Sequence, residues 1–410
     1  MTFLTFKTDE IRYGVVVDIG SGSVLASIVE SDPAKDSPYV VWFKREYTPL
    51  RQIDSLNRTV KSIMTTLISV LMTLDSEGRS VFNEKFPQKK LSSIQFTIAA
   101  PWSYTVSKTI SYNQENDFLV TEELIEELLR MSEKKVLEEL QENEKIHNLD
   151  LTLISRITAD VIANGYSIDV TGKQKAKSLK VVELNAITNN SIVEEIKEVR
   201  DKMFPRTKLS QYSFMMAFYY SILELYSNSI ECCLIDITYE ATEIGVVRDG
   251  VLQYCSHIPY GSISIAREIS TILSVPLEEA YSYLQEGNFS VIMQKYSDKQ
   301  KFDIEAVFKS YKDRLTGLFN ETGDKLSIPK GLFLHTSLNT ADFFKAIILE
   351  SSSLATKTTH VVYNVTGDLL TKHYSKEAQN LIKSNKQDTA MLISAQFFHT
   401  KNYARDFEQL

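Results

Sequence analysis

Two stretches far apart in this chain share one layout. Val15–Val17 form an apolar run that reaches Asp18, a turn of Gly20, Ser21, Gly22 and Ser23 follows, and a second run ends near Val29. Around Cys232–Ile235 another apolar run reaches Asp236, a turn follows, and a second run spans Thr242–Val247, with an Asp249-Gly250 turn and a third run behind it. Two β-branched runs around a short turn predict a hairpin at each place. Aligned on the two aspartates, VVVDIGSGSVLASIVE and CLIDITYEATEIGVVR agree in period, in the Asp and in strand–turn–strand order. Their separation is far longer than a solenoid period. The pattern therefore predicts a duplicated α/β domain, each copy opening with a hairpin that bears an Asp at its first turn.

The chain is long enough for such a duplication. Its 410 residues suffice for two to four folded units, and 43% hydrophobic residues give it ample core. With 45 Lys and Arg against 53 Asp and Glu, the formal charge is −8, which argues against a protein that coats nucleic-acid phosphates. Three cysteines make no disulfide framework, and Cys232-Cys233 within an apolar run reads as buried strand filler, so a reducing cytoplasmic compartment is expected. No window approaches the ~20 apolar residues of a membrane span, and MTFLTFKTDEIRY lacks the features of a secretory signal.

Between the repeats, Ile63–Leu74 reads as a buried helix and Leu91–Ala100 as a strand running into a turn at Pro101. Thr121 is expected to cap a helix to Leu140 whose buried face carries Ile125, Leu129, Val136 and Leu140. Ala159–Val170 and Ala176–Ala186 read as strands joined at Thr171-Gly172-Lys173. Ser191 with Glu194 predicts a capping box for a helix carrying Ile192, Ile196, Val199 and Met203 and ended by Pro205. An apolar helix runs from Phe214 to about Tyr226, and His257-Ile258-Pro259-Tyr260-Gly261-Ser262 leads into another near Ile263.

An Asp at a strand end before a Gly/Ser turn suits phosphate and metal chemistry. Glycine lets backbone N–H groups approach an anion, serine adds donors, and a carboxylate can hold Mg²⁺ through water. Facing each other across a cleft, Asp18 and Asp236 would flank one Mg²⁺–nucleotide. The plainer role for an Asp in a turn is to accept backbone hydrogen bonds. The segment entering the helix at Gly261 suits either a phosphate cradle or an ordinary link. His257 has no acid or nucleophile placed to orient it, so a structural role is expected. The six histidines show no metal-ligand spacing, and neither a GxSxG elbow nor a Walker A loop occurs.

At these residues the sequence resembles the actin-like ATPase superfamily, in the bacterial branch that holds the division protein FtsA and the pilus protein PilM. Asp18–Val24 matches the first phosphate motif of that superfamily, and Leu234–Thr242 matches the second in outline. The stretch VVRDGVLQYCSHIPYGSISIAREIS and Leu277-Glu278-Glu279-Ala280 resemble this branch more specifically, and Asn164-Gly165-Tyr166 resembles the end of its small insert. The likeness runs from about Tyr13 to Glu286. It implies duplicated actin-like (RNase H-like) domains around a nucleotide cleft, with a small α+β (SHS2-like) insert. The implied division gives residues 1–104 and 180–230 to the first actin-like subdomain, 105–179 to the insert and 231–400 to the second domain, with a small subdomain near 276–330.

The same resemblance implies ATP and Mg²⁺ as ligands. Asp18, Gly20, Ser21, Gly22, Ser23, Asp236, Thr238, Thr242, Gly261, Gly331, Thr336 and Ser337 would bind the nucleotide, and Asp18 and Asp236 would hold the metal through water. Tyr239, Glu240 and Ala241 stand where the family's second turn is rich in glycine, and there Glu240 would repel phosphates. Thr336 and Ser337 replace the paired glycines of the adenosine motif, and SQYSFMMAFYY offers no acid to position an attacking water. These departures imply a weak ATPase or a pseudo-ATPase scaffold. An FtsA-like scaffold would link a tubulin-like division polymer to the membrane and self-associate into filaments or dimers. A PilM-like adaptor would bind the cytoplasmic tail of a membrane protein in a pilus or secretion platform. Either would sit in the cytoplasm at the inner face of the cell membrane, with no nucleic acid and no transmembrane segment. A sugar or metabolite kinase would need a general base and an intact adenosine motif, and neither is evident.

Overall fold

A computed structural model describes residues 10–49, 56–142, 150–168, 174–226, 230–285, 289–322, 327–336, 340–372, 374 and 388–400. Both repeats form the expected hairpins. β1 (Arg12–Ile19), β2 (Ser23–Ser31) and β3 (Tyr39–Tyr47) are antiparallel, and β4 (Ser93–Ile98) and β9 (Lys208–Ser213) join in parallel, giving the order β3-β2-β1-β4-β9. In the second copy β10 (Cys232–Ile237), β11 (Thr242–Arg248) and β12 (Val251–Ile258) are antiparallel, and β13 (Gly331–Thr336) and β14 (Val361–Asn364) add in parallel, giving β12-β11-β10-β13-β14. The two sheets thus have one topology. Asp18 and Asp236 are the penultimate residues of equivalent central strands.

The strands β1, β2 and β10 are buried along almost their whole length, because helices cover both faces and alternation gives way to continuous apolar runs. Helix α1 (Leu56–Thr73) packs on the first sheet through Ile63, Leu67, Val70 and Leu71, joined by Ile192, Ile196 and Val199 of α3 (Asn190–Met203). Helix α4 (Phe214–Leu225) is apolar all round and must therefore be buried all round. It lies between the sheets, sharing one core with Leu25 of the first and Cys232, Leu234 and Phe333 of the second. The outer face of the second sheet is covered by α5 (Ser262–Leu273), α6 (Leu277–Gln285), α7 (Asp298–Asn320) and α8 (Ala341–Thr356). Helix α9 (Thr389–Thr400) returns to the first sheet and places Phe398 against Val16 and Val29.

Between β4 and β9 the chain builds a third sheet from β5 (Ser103–Leu119), β6 (Leu151–Ala163), β7 (Tyr166–Ser167) and β8 (Lys175–Asn189), ordered β5-β8-β6-β7. Helix α2 (Glu122–Glu142) packs on it through Ile125, Leu128 and Leu129, with Leu124 N–H donating to the Thr121 hydroxyl as expected of a cap. Two expectations are corrected here. The strand placed at Ala159–Val170 runs from Leu151 to Ala163, and Asn164 and Gly165, with φ of 50° and 86°, make its turn. The Thr171-Gly172-Lys173 turn lies outside the described residues. The cap of α3 is Asn189 rather than Ser191: β8 continues to Asn189, whose carboxamide oxygen accepts from Ser191 N–H at 2.9 Å.

Candidate functional site

Strand ends of the two sheets face one cleft of about 630 Å³, and Asp18 and Asp236 both line it. So do Gly20, Ser21, Gly22 and Ser23 of the first turn, Thr238 of the second and Thr336 at the end of β13. Three other expected residues lie away from the cleft lining. Thr242 donates its hydroxyl to the Tyr260 carbonyl at 2.9 Å and meets the Tyr311 hydroxyl at 2.8 Å in the core. Gly261 backs the second turn so closely that a Cβ would strike the Thr238 and Tyr239 carbonyls and the Ala241 nitrogen. Gly331 begins β13, at the end opposite the cleft. Ser337 lies outside the described residues.

The acidic residue of the first copy is matched by a cation from the same sheet. Asp18 pairs with Leu25, and Leu25 with Arg45, so the three share a row across β1, β2 and β3. Arg45 reaches over Leu25 and donates to Asp18 Oδ2 at 3.0 Å and to Ser23 Oγ at 2.7 Å. It also grips Asp388 through Nε at 2.5 Å and Nη2 at 3.0 Å. Asp388 in turn accepts from Met391 N–H at 3.0 Å at the start of α9. Burial pushes the Asp18 carboxyl above its ordinary pKa, with Arg45 pulling the other way. For Asp388 burial also opposes charge, but the guanidinium outweighs it and holds that carboxyl below the ordinary range.

In the second copy the partner of the acid is an imidazole from the parallel neighbour strand, at the position that Thr97 of β4 holds in the first copy. His335 lies opposite Asp236 in the β10–β13 pair, with Nδ1 at 2.7 Å from Asp236 Oδ1 and Nε2 at 3.1 Å from the Thr389 hydroxyl. Asp236 Oδ2 has no hydrogen-bond partner among the described residues, although the side chain is only 1% exposed. Across the β10–β11 ladder Asp236 faces Glu243, which is also buried. Burial first, and then the Asp236 charge, push the Glu243 carboxyl well above its ordinary pKa, while the Thr105 N–H pulls it down. A carboxyl with a raised folded pKa releases its proton on unfolding, so its contribution to stability is lost as pH rises from about 4.3 through the folded value. Glu243→Gln keeps an acceptor for Thr105 and removes that loss. Thermal melts of this variant should match the parent near pH 4 and exceed it by a few degrees at pH 8; equal melting at pH 8 would refute the assignment.

Four backbone N–H groups of the turns are already engaged by protein acceptors. Gly20 N–H donates to Ser23 O at 2.9 Å and Thr238 N–H to Ala241 O at 2.9 Å. Glu240 N–H donates to Ser21 Oγ at 3.1 Å and Ala241 N–H to Thr238 Oγ1 at 3.1 Å. At the head of α5, Ser262 and Ile263 donate to the Thr238 and Tyr239 carbonyls, so this terminus caps the turn. The Tyr239 ring covers Gly22 so tightly that a Cβ on Gly22 would fall within it. Glu240, expected to repel phosphates, is held by a bidentate pair with Arg267, one arm at 2.7 Å. Among the described residues no group of three or more His, Cys, Asp and Glu is placed to hold a metal. His257 stacks on Tyr104 with ring centroids 4.0 Å apart, and burial lowers its pKa to about 4, which leaves a neutral structural imidazole.

Arg45, His335 and Asp388 are the residues that sequence reasoning missed. For Arg45 the one available signal was a charge following the apolar run Tyr39–Phe43; for Asp388, an Asp just ahead of a helix.

No protein-family model matches the sequence, and no curated protein does. Solved structures do match. A chain of a PilM–PilN type IV pilus biogenesis complex superposes with a TM-score of 0.57 at 11% identity, over 95% of this chain and 98% of that one. The ethanolamine utilization protein EutJ from Carboxydothermus hydrogenoformans gives 0.42 at 10% identity, over 97% and 92%. A Bacteroides thetaiotaomicron protein described as having an actin-like ATPase fold and unknown function gives 0.36 at 12% identity, over 92% and 98%. With one five-stranded topology built twice around a shared cleft, and near-complete overlap with the pilus-complex chain, this chain has the actin-like ATPase fold.

Proposed function

We propose that the protein is a pseudo-ATPase adaptor, an actin-like fold closed by its own side chains that engages the cytoplasmic tail of a membrane protein. The observation that carries this reading is the state of the phosphate side. Arg45 supplies in protein form the positive charge that a metal would bring to Asp18, and the N–H groups of Gly20, Thr238, Glu240 and Ala241 donate to protein acceptors. A hydrated Mg²⁺ between the two aspartates would face that guanidinium, and a triphosphate would compete with Tyr239 for the space beside Gly22. The residues present therefore do not fit Mg²⁺–ATP.

The choice of partner rests on the PilM–PilN complex among the fold's neighbours, which is a likeness of fold. Among the described residues no helix is long and apolar enough to cross a membrane, which agrees with recruitment to the inner membrane face by another protein. In this reading 1–104 with 180–230 and 231–400 hold the two actin-like parts, and 105–179, together with the rest of β8 to Asn189, is the SHS2-like insert on which a tail peptide would dock.

Two measurements test the proposal. Millimolar ATP–Mg²⁺ should leave the melting temperature unchanged, whereas a ligand at a hundred times its Kd adds about 2.7 kcal/mol of stability. A clear upward shift would overturn the pseudo-ATPase reading. Cross-linked co-purification should recover a single-pass membrane protein; recovery of a tubulin-like polymer, or filaments of the chain itself, would favour the FtsA-like scaffold instead.

A further inference from the structure

We propose that the end of the first sheet opposite the cleft rests on an anionic lipid bilayer, through Lys89, Lys90 and Arg206 on two neighbouring loops. This deepens the reading that the protein works at a membrane face, and rests on it. The two loops are one design built twice. FPQKKLS (86–92) leads from the helix Arg79–Lys85 into β4, and FPRTKLS (204–210) leads from α3 into β9. In each, the phenylalanine N–H donates to the carbonyl four residues back at 2.8 Å, and its own carbonyl accepts from the N–H three residues on at 3.2 Å. The residue after each proline is left-handed, with φ of 71° at Gln88 and 70° at Arg206. Lys208 N–H donates to Ser92 O at 3.1 Å and Arg79 Nη2 to Met203 O at 3.0 Å, so the loops stand side by side.

Charge gives the second observation. Residues 79–90 and 197–208 carry nine Lys and Arg against three Asp and Glu, in a chain whose formal charge is −8. Part of this excess has a local purpose. Lys85, Arg200 and Lys202 lie in the last turns of their helices, where cations answer the carbonyl end of the dipole. Arg79, Arg200 and Lys202 are also paired with Asp75, Asp201 and Glu198. Lys89, Lys90 and Arg206 lie past both helices and are exposed, and none has an ion-pair partner among the described residues. The exposed acids Glu84, counted here, and Glu10, ahead of β1, leave the excess standing. Asp32 and Asp36 of the β2–β3 loop act on His399, on the α9 side of the sheet. Pro87 and Pro205 are exposed beside the cations. Cations on two exposed loops at one edge suit an extended anionic plane better than an enclosed small anion. The attraction acts over one Debye length, about 8 Å at physiological salt, so the bilayer is felt by the rim while the acidic body beyond it is screened.

The test is co-sedimentation of the full chain with phosphatidylcholine vesicles, with and without phosphatidylglycerol, at low and at physiological salt. Binding to the anionic vesicles alone is expected, weaker at the higher salt. The triple variant Lys89→Glu, Lys90→Glu, Arg206→Glu should weaken it at least tenfold. Its melting temperature should match the parent, because the three side chains are exposed. The milder pair Lys90→Gln, Arg206→Gln should weaken binding in the same direction and keeps the test open if the triple variant fails to fold. Lys134→Glu with Lys135→Glu, exposed on α2, should leave binding as in the parent. Absence of binding to anionic vesicles would overturn the proposal, as would equal weakening by the α2 variant, which would mark general charge attraction. Duplex DNA bound more tightly than the vesicles, through the same three residues, would assign the rim to nucleic acid and overturn it too. The melting response to ATP–Mg²⁺ is read on the same samples. A shift with vesicle binding intact removes the pseudo-ATPase reading and keeps the bilayer contact; no shift and no vesicle binding removes the contact alone.

Discussion

Arg45→Ala is expected to cost the fold about 3–5 kcal/mol, because it leaves two buried carboxylates without their shared cation. Asp18 is 3% exposed and Asp388 is largely enclosed, and both depend on this guanidinium. The pH dependence should change with it. In the parent, Asp388 has a depressed folded pKa, so its contribution is present above the unfolded value near 3.9 and is lost as pH falls. Without Arg45 both carboxyls are raised by burial alone, and stability contributed at this site should be greatest in acid and fall as pH rises. Urea unfolding of parent and variant at pH 5 and pH 8 measures both effects: the deficit should be larger at pH 8. Replacing all three groups together, by Arg45→Met with Asp18→Asn and Asp388→Asn, should recover much of the loss, since the variant no longer buries uncompensated charge. A deficit in Arg45→Ala below 1 kcal/mol at pH 8 would show that the network is peripheral.

Gly22→Ala should be nearly as damaging, at about 1–3 kcal/mol or more, although it adds one methyl group. The space beside Gly22 belongs to the Tyr239 ring, and that ring is fixed from behind by an edge contact with Tyr281 at 5.3 Å. Neither turn can yield easily, because Ser21 and Glu240 are hydrogen-bonded across the same junction. Tyr239→Ala alone should also destabilise, by about 3–5 kcal/mol for a large aromatic truncation. The informative quantity is the double variant. If the ring and the glycine are complementary, the two costs should fall short of additive by about 1–3 kcal/mol in a double-mutant cycle. Additive losses would mean that the two turns are not coupled through this contact.

Both predictions concern side chains whose roles depend on distance in sequence. The duplicated hairpin was legible because each copy is local: an apolar run, an Asp and a turn within twenty residues settle strand, register and the position of the carboxylate. The glycine-poor second turn was legible too, as a departure at Tyr239, Glu240 and Ala241, but the consequence differed from expectation at Glu240, since Arg267 lies on a helix that packs beside it. Arg45 and Asp388 could not be paired from sequence, because 343 positions separate them and only the cross-strand row through Leu25 and the return of α9 bring them together. Likewise His335 meets Asp236 because β13 pairs parallel to β10, a neighbour relation that periodicity does not encode. Thr242 and Gly261 sit in motifs that point to a ligand, yet their neighbours are protein groups. Motif position specifies a strand end or a helix start; which groups meet there is decided by tertiary packing.

The return of α9 has a consequence for the order in which the molecule is made. The strands that open the fold, β1 and β2, have one face covered by Phe398 and Ala395, and Arg12 donates to the Phe398 carbonyl at 3.0 Å. During synthesis the N-terminal sheet emerges long before the segment that covers it, and its apolar face stays bare until residues near 400 have left the ribosome. A chain interrupted ahead of residue 388 would present that face to solvent, with Arg45 deprived of Asp388, and is expected to aggregate or be degraded instead of persisting as a folded half.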